Sequence, residues 1–203
     1  MLDLVKQETE RIESRFLEPA CGDGNFLTVI LDRKLTVVGK RYGKSQLDFE
    51  RYAVLAVSSV YGIDILPDNV RECRRRLFEA FDMTYTRLFK AAVKDQCRAA
   101  VRFILERNII WGDALTLKTV GEKLGHIVFS EWSPVNGSML KRRDFTFSEL
   151  LRHEEAMQAP LFPGSESEEQ LPLFSDLGEH VFIPTPVQEY SPVHFMEIAR
   201  AGE

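Results

Sequence analysis

FLEPACGDGNFL, residues 16–27, sets two glycines, a proline, a cysteine and an aspartate between two apolar flanks. Glycine adopts left-handed backbone angles at little cost, so the run reads as a strand at 15–18, a tight turn, and a helix from Asn25 to about Leu35. Upstream, MLDLVKQETERIESRF carries the charge pattern of an amphipathic helix over about 2–13. Downstream come a helix over LDFERYAVLAVSSV, a strand in VYGIDI (60–65) and a helix after Pro67 through DNVRECRRRLFEAF. A long helix at about 85–105 follows, then strands in NIIWGD (108–113) and HIVFSEW (126–132). Strands alternating with helices predict an α/β fold with a mostly parallel sheet and helices on both faces.

With 203 residues, 44% hydrophobic and 28% charged, the chain has the material for one globular domain with its own core. It contains no run of about 18 apolar residues, and its first helix is charged throughout, which predicts a cytoplasmic chain without a membrane partner. Cys21, Cys73 and Cys97 are odd in number, form no CxxC pair and have no histidine at ligand spacing. Reduced thiols and no structural metal are the expectation. The net charge of −5 argues against wrapping nucleic acid along the whole surface, because phosphate binding draws on clustered Lys and Arg. Past residue 158, APLFPGSESEEQLPLFSDLGEH turns to Pro, Gly, Ser and Glu, so residues 1–158 are read as the main domain and 159–203 as a partly extended segment. Its PLF pieces at 160–162 and 172–174 are expected to dock on the chain's own core, with docking on a partner the alternative, and HVFIPTPVQEYSPVHFMEI to give two short strands interrupted by prolines.

A glycine turn after a strand serves a phosphate, a dinucleotide or another nucleotide-like cofactor. A phosphate cradle requires Lys followed by Ser or Thr after its glycines, where Asn25, Phe26 and Leu27 stand, and is excluded. A dinucleotide site asks for a third glycine where helix packs on strand, and Phe26 and Leu27 weaken that reading too. What remains is a turn in which Gly22 and Gly24 let the backbone approach a ligand while Glu18 presents a carboxylate to a cation. S-adenosylmethionine, with an amino group, a sulfonium and no phosphate, suits that acid better than a pyrophosphate does.

The same stretch resembles the first motif of adenine-specific DNA methyltransferases of restriction-modification systems, Asp/Glu-Pro-Ala-Cys-Gly-x-Gly-x-Phe-Leu. YGIDI resembles the second motif and WGDAL the third, in family order, so the resemblance covers about residues 1–130. It implies a Rossmann-like methyltransferase fold with S-adenosylmethionine bound in the 1–158 domain. The implied cofactor site is Glu18, Pro19, Ala20, Cys21, Gly22, Gly24 and Phe26; Asp64 on the ribose hydroxyls with Ile65 beside the adenine; and Asp113 with Ala114 reading the adenine. Physical reasoning selects the same acids, because ligands of open parallel sheets bind beyond the carboxyl ends of the strands. Helix capping is the competing account of each.

In the family a tetrapeptide of Asn or Asp, Pro, Pro and Tyr or Phe follows the fourth strand; it holds the target amino group and stacks on the flipped base. VFSEWSPVNG stands there instead. Ser130 or Glu131 replaces the polar residue, Trp132 is the stacking candidate and Pro134 corresponds to the prolines, while Trp132 as a cover for the sheet edge is the alternative of equal weight. Lys141, Arg142 and Arg143, just past this loop, are placed to hold DNA backbone phosphates, whereas RECRRR (71–76) reads as a solvated helix face. Family members also carry a Phe-Thr-Pro-type segment before the first helix and a target-recognition domain. The chain starts inside that helix and about 70 residues follow the fourth strand, so a cofactor pocket open on one side and a second protein subunit for target recognition are expected. The readings carried forward are an S-adenosylmethionine-dependent DNA methyltransferase and a non-catalytic cofactor-binding or partner subunit of a restriction-modification or defence complex. A nicotinamide-dependent oxidoreductase ranks third, with no proton-transfer residue evident.

Overall fold

Helical spacing of apolar residues, broken by glycine and proline, sets the order of the elements. The computed structural model describes residues 6–121, 124–158 and 184–201. The chain runs α1 (Lys6–Glu10), β1 (Phe16–Glu18), α2 (Asn25–Tyr42), α3 (Gln46–Ser58), β2 (Val60–Asp64), α4 (Pro67–Phe89), α5 (Asp95–Asn108) and β3 (Ile109–Asp113). It continues as β4 (Lys118–Thr119), β5 (Val128–Pro134), β6 (Met139–Thr146), α6 (Phe147–Gln158), β7 (Gln188–Glu189), β8 (Val193–His194) and α7 (Ile198–Ala201). Ser45 starts α3 by accepting the Asp48 N–H at 3.4 Å, and Pro67 starts α4, where a missing N–H costs nothing. One helix was expected at 85–105; instead α4 continues to Phe89, and Lys90, at φ 50°, turns the chain into α5. The PLF pieces and the rest of 159–183 lie outside the described residues.

The strands form two sheets of four, and this corrects the expected fold class. In the first sheet β1, β2 and β3 are parallel neighbours and β4 closes the edge antiparallel to β3. In the second, β6 pairs antiparallel with β5, β7 and β8. The Rossmann-like, mostly parallel sheet with helices on both faces is therefore not what the chain builds. The apolar run at 126–132, expected as a fourth parallel strand, pairs with β6 as a hairpin. Its loop is Asn136-Gly137-Ser138, with Gly137 at φ 57° and the Met139 N–H donating to the Asn136 carbonyl at 3.0 Å. Asn-Gly between alternating strands is a strong local hairpin signal, and here it overrides the parallel pattern.

Because parallel crossovers are right-handed, adding β1, β2 and β3 in order puts their connections on one side of the sheet. On that side Val60 and Ile109 share a core with Leu27 and Leu31 of α2, Phe49 of α3, Phe81 of α4 and Ile104 of α5. Tyr61 and Ile63 point the other way, into a smaller core with Ile127, Phe129 and Phe147, flanked by Leu150 and Leu151 of α6. One face of the parallel strands is thus covered by helices and the other by β5 and α6.

Two buried charges tie elements together. Lys34 of α2 has no exposed surface, and its ammonium donates to the carbonyls of Arg11 (2.8 Å), Ile12 (3.0 Å) and Ser14 (2.6 Å), anchoring the segment between α1 and β1. Glu50 of α3 is equally buried; it accepts from Tyr85 Oη and from Gln46 Nε2 at 2.8 Å, and pairs with Lys94 at 2.9 Å. Each is saturated with partners, as a buried charge must be.

Candidate functional site

Three acids step along the carboxyl ends of the parallel strands. Glu18 pairs in register with Gly62, Asp64 lies two residues further on β2 opposite Trp111, and Asp113 two further on β3. The glycine turn lies between the first two. Cys21 N–H donates to the Ile63 carbonyl at 2.9 Å, Gly24 N–H to the Cys21 carbonyl at 2.9 Å, and Gly22 N–H to Asp64 Oδ2 at 2.9 Å. Asp64 Oδ1 accepts the Leu66 N–H at 2.8 Å and Asn69 Nδ2 at 3.1 Å. Asp64 therefore braces the turn and fixes the step into α4, whose cap residue is Leu66 with no side-chain cap bond.

Gly24 sits at φ 86°, and a Cβ there would fall 2.7 Å from Cys73 Sγ, so both conformation and space demand glycine. A Cβ on Gly22 would meet nothing within 4 Å; the outer side of the turn is open. Arg76 of α4 closes the turn from behind, donating to the Asp23 carbonyl at 3.1 Å and pairing with its carboxylate at 2.8 Å. Cys21 is buried, and its hydrogen bond to Cys73, followed by desolvation, pushes its thiol above the ordinary range, so it acts as packing. Glu18 is half-buried and accepts the Ala20 N–H at 3.2 Å; Pro19 and Ala20 are exposed. Phe26 packs against the core.

Beside Asp64, Ile65 and Leu66 are each 55% exposed, and Trp111 Nε1 donates to the Ile65 carbonyl at 3.0 Å, fixing that apolar edge. Asp113 accepts from Leu115 N–H (2.9 Å) and Thr116 Oγ1 (3.0 Å), which, the backbone bond first, hold its carboxyl below the ordinary value. Ala114 packs into the smaller core.

The residues singled out for methyl transfer do not converge. Along β5, Glu131 faces one side of the hairpin and Ser130 and Trp132 the other. Trp132 is 5% exposed, its indole N–H donates to Asn108 Oδ1 at 3.0 Å, and it meets the Phe103 ring edge-on. That is the sheet-covering role, not an open stacking surface. Ser130 is buried, donating to Asp144 Oδ1 at 2.7 Å. Glu131 is held between Arg15 and Arg143, and Pro134 pairs in register with Leu140 at the hairpin end. The basic trio is paired internally as well: Lys141 with Glu189 at 2.8 Å, Arg142 with Asp144 at 2.6 Å, Arg143 with Glu131 at 2.7 Å. Sequence reasoning missed Asn69 and Arg76, whose spacing from the turn carries no signature, and missed the hairpin, whose Asn-Gly signal was present.

Among the described residues no group of His, Cys, Asp or Glu is placed to hold a metal ion, and no helix is long and apolar enough to cross a membrane. No protein-family model, curated protein or solved structure matches the chain.

Proposed function

We propose that the chain binds S-adenosylmethionine at the ends of β1, β2 and β3 and serves a DNA methyltransferase of the adenine-specific type. The observation that carries this reading is the open glycine turn set between Glu18 and Asp64, with no basic residue among the described ones donating into it except Arg76, which is spent on Asp23. Such a site favours an amino group and hydroxyls and repels a pyrophosphate. The residues present suit the cofactor's groups: Glu18 for its amino group, the exposed Ile65 edge and Asp113 for its adenine, and Asp64, buried and already accepting from Gly22, Leu66 and Asn69, with its remaining acceptor position for the ribose. Bound there, the cofactor supplies an electrophilic methyl; the chain supplies position and negative charge. Lys141, Arg142 and Arg143 reach DNA phosphates only by exchanging Glu189, Asp144 and Glu131, so a partner protein carries most of the target grip. Burial of Ser130 and Trp132 favours a second reading beside the first, a non-catalytic cofactor-binding subunit. Titration calorimetry with S-adenosylmethionine, its demethylated product and NAD tests the site itself. The two sulfur ligands are expected to bind and NAD to bind more weakly; equal or tighter binding of NAD removes the proposal.

A further inference from the structure

On the face of the parallel strands away from the glycine turn, a cavity of about 440 Å³ opens between β1, the β5–β6 hairpin and α6. That volume is in the range of small-molecule sites. Its floor is apolar and largely aromatic: Leu17, Tyr61, Phe129, Phe145, Phe147 and Leu150. The Tyr61 hydroxyl is spent on the Ser130 carbonyl, to which it donates at 3.0 Å, so the floor offers mainly ring surface. At the rim stand three charged groups, Arg15, Glu131 and Arg143. Glu131 pairs with both arginines, with Arg143 Nη2 at 2.7 Å. Glu189 lies across from Arg143 but is matched by Lys141 at 2.8 Å, so among the described residues one carboxylate against two guanidiniums leaves the rim with one positive charge in excess.

We infer that this cavity binds a small aromatic monoanion, a carboxylate or sulfonate, its ring on the Leu17–Phe147 floor and its acid group on Arg143 and Arg15. The acid supplies the second negative charge the two guanidiniums lack and accepts from their Nη–H groups, while the ring covers apolar surface at the cavity floor. The site shares no side chain with the glycine turn, so it stands whether or not S-adenosylmethionine binds.

Amide-resolved NMR of the full chain titrated with 2-naphthalenesulfonate, and separately with the uncharged 2-naphthalenemethanol, tests this. The sulfonate is expected to saturate, shifting amides of β5, β6 and α6, and to bind at least about tenfold tighter than the alcohol, as a charge-assisted contact requires. Arg143→Gln should abolish that preference. Arg15→Gln, at a side chain 56% exposed and outside the core, should reduce it without unfolding the chain. Glu131→Gln should strengthen sulfonate binding. Equal affinity for the two probes, shifts confined to other elements, or a preference untouched by Arg15→Gln in a folded chain would each overturn the assignment.

Discussion

Asp64 carries two jobs on one carboxylate. Because it accepts from Gly22, Leu66 and Asn69, Asp64→Ala removes the brace of the turn and the bonds that fix the chain's entry into α4 together. The expected loss is about 1–3 kcal/mol of stability, read from urea unfolding midpoints, along with weaker S-adenosylmethionine binding by calorimetry. A variant that keeps full affinity while losing stability would make Asp64 a structural brace alone. Lys34 poses a different problem of charge. Burial lowers its ammonium from the ordinary 10.5 to about 8. Between those values the unfolded chain holds the extra proton, so this residue's contribution to stability rises with pH across that window and is lowest below about 8. The stability difference between wild type and Lys34→Met should therefore grow from about pH 7 to about pH 10 by a few kcal/mol. Denaturant titrations at the two pH values check it; a difference that shrinks would show the charged form to be the favoured one.

At the scale of elements, the turn before α2 and the break after α4 make opposite predictions. Gly24→Ala brings a Cβ to 2.7 Å from Cys73 Sγ at a left-handed φ of 86°, so α2 must shift or the turn must strain. A loss of about 2 kcal/mol or more in thermal unfolding is expected. Lys90 holds φ 50° and ψ −120°, angles glycine takes without penalty, so Lys90→Gly should raise stability by about 1 kcal/mol. These two sites also mark what the sequence reveals. FLEPACGDGNFL is legible because its strand, turn and helix are local, and β1, the turn and α2 sit where glycine and apolar spacing place them. Lys90 carries no such signal, since nothing in FKAAVKD names a break. The hairpin of β5 and β6 was legible in Asn136-Gly137, but the parallel rhythm upstream favoured a fourth parallel strand. Strand pairing is decided by partners far along the chain, and a local apolar run is silent on which partner it meets.

For the whole molecule, the separation of glycine turn and hairpin decides what the chain does by itself. Taking a base out of a duplex costs a few kcal/mol, which a DNA methyltransferase offsets with an aromatic stack and acceptors for the amino group. Trp132 is committed to Asn108 and Phe103, Ser130 to Asp144, and Glu131 to Arg15 and Arg143. The isolated chain is therefore expected to transfer no tritiated methyl from S-adenosylmethionine to DNA, even where calorimetry shows the cofactor bound. Trp132→Ala is expected to cost about 3–5 kcal/mol of stability, as removal of a buried indole does, so it is a poor probe of chemistry. Glu131→Gln and Lys141→Ala, whose side chains reach solvent, are better ones. Transfer that appears only with the protein of a neighbouring gene, and weakens with Lys141→Ala, would place the base-holding groups on the partner. Binding without transfer in either setting would leave the non-catalytic subunit as the surviving reading. Robust transfer by the chain alone, lost with Glu131→Gln, would require the β5–β6 hairpin to reorganise on DNA and would overturn the role assigned to the partner.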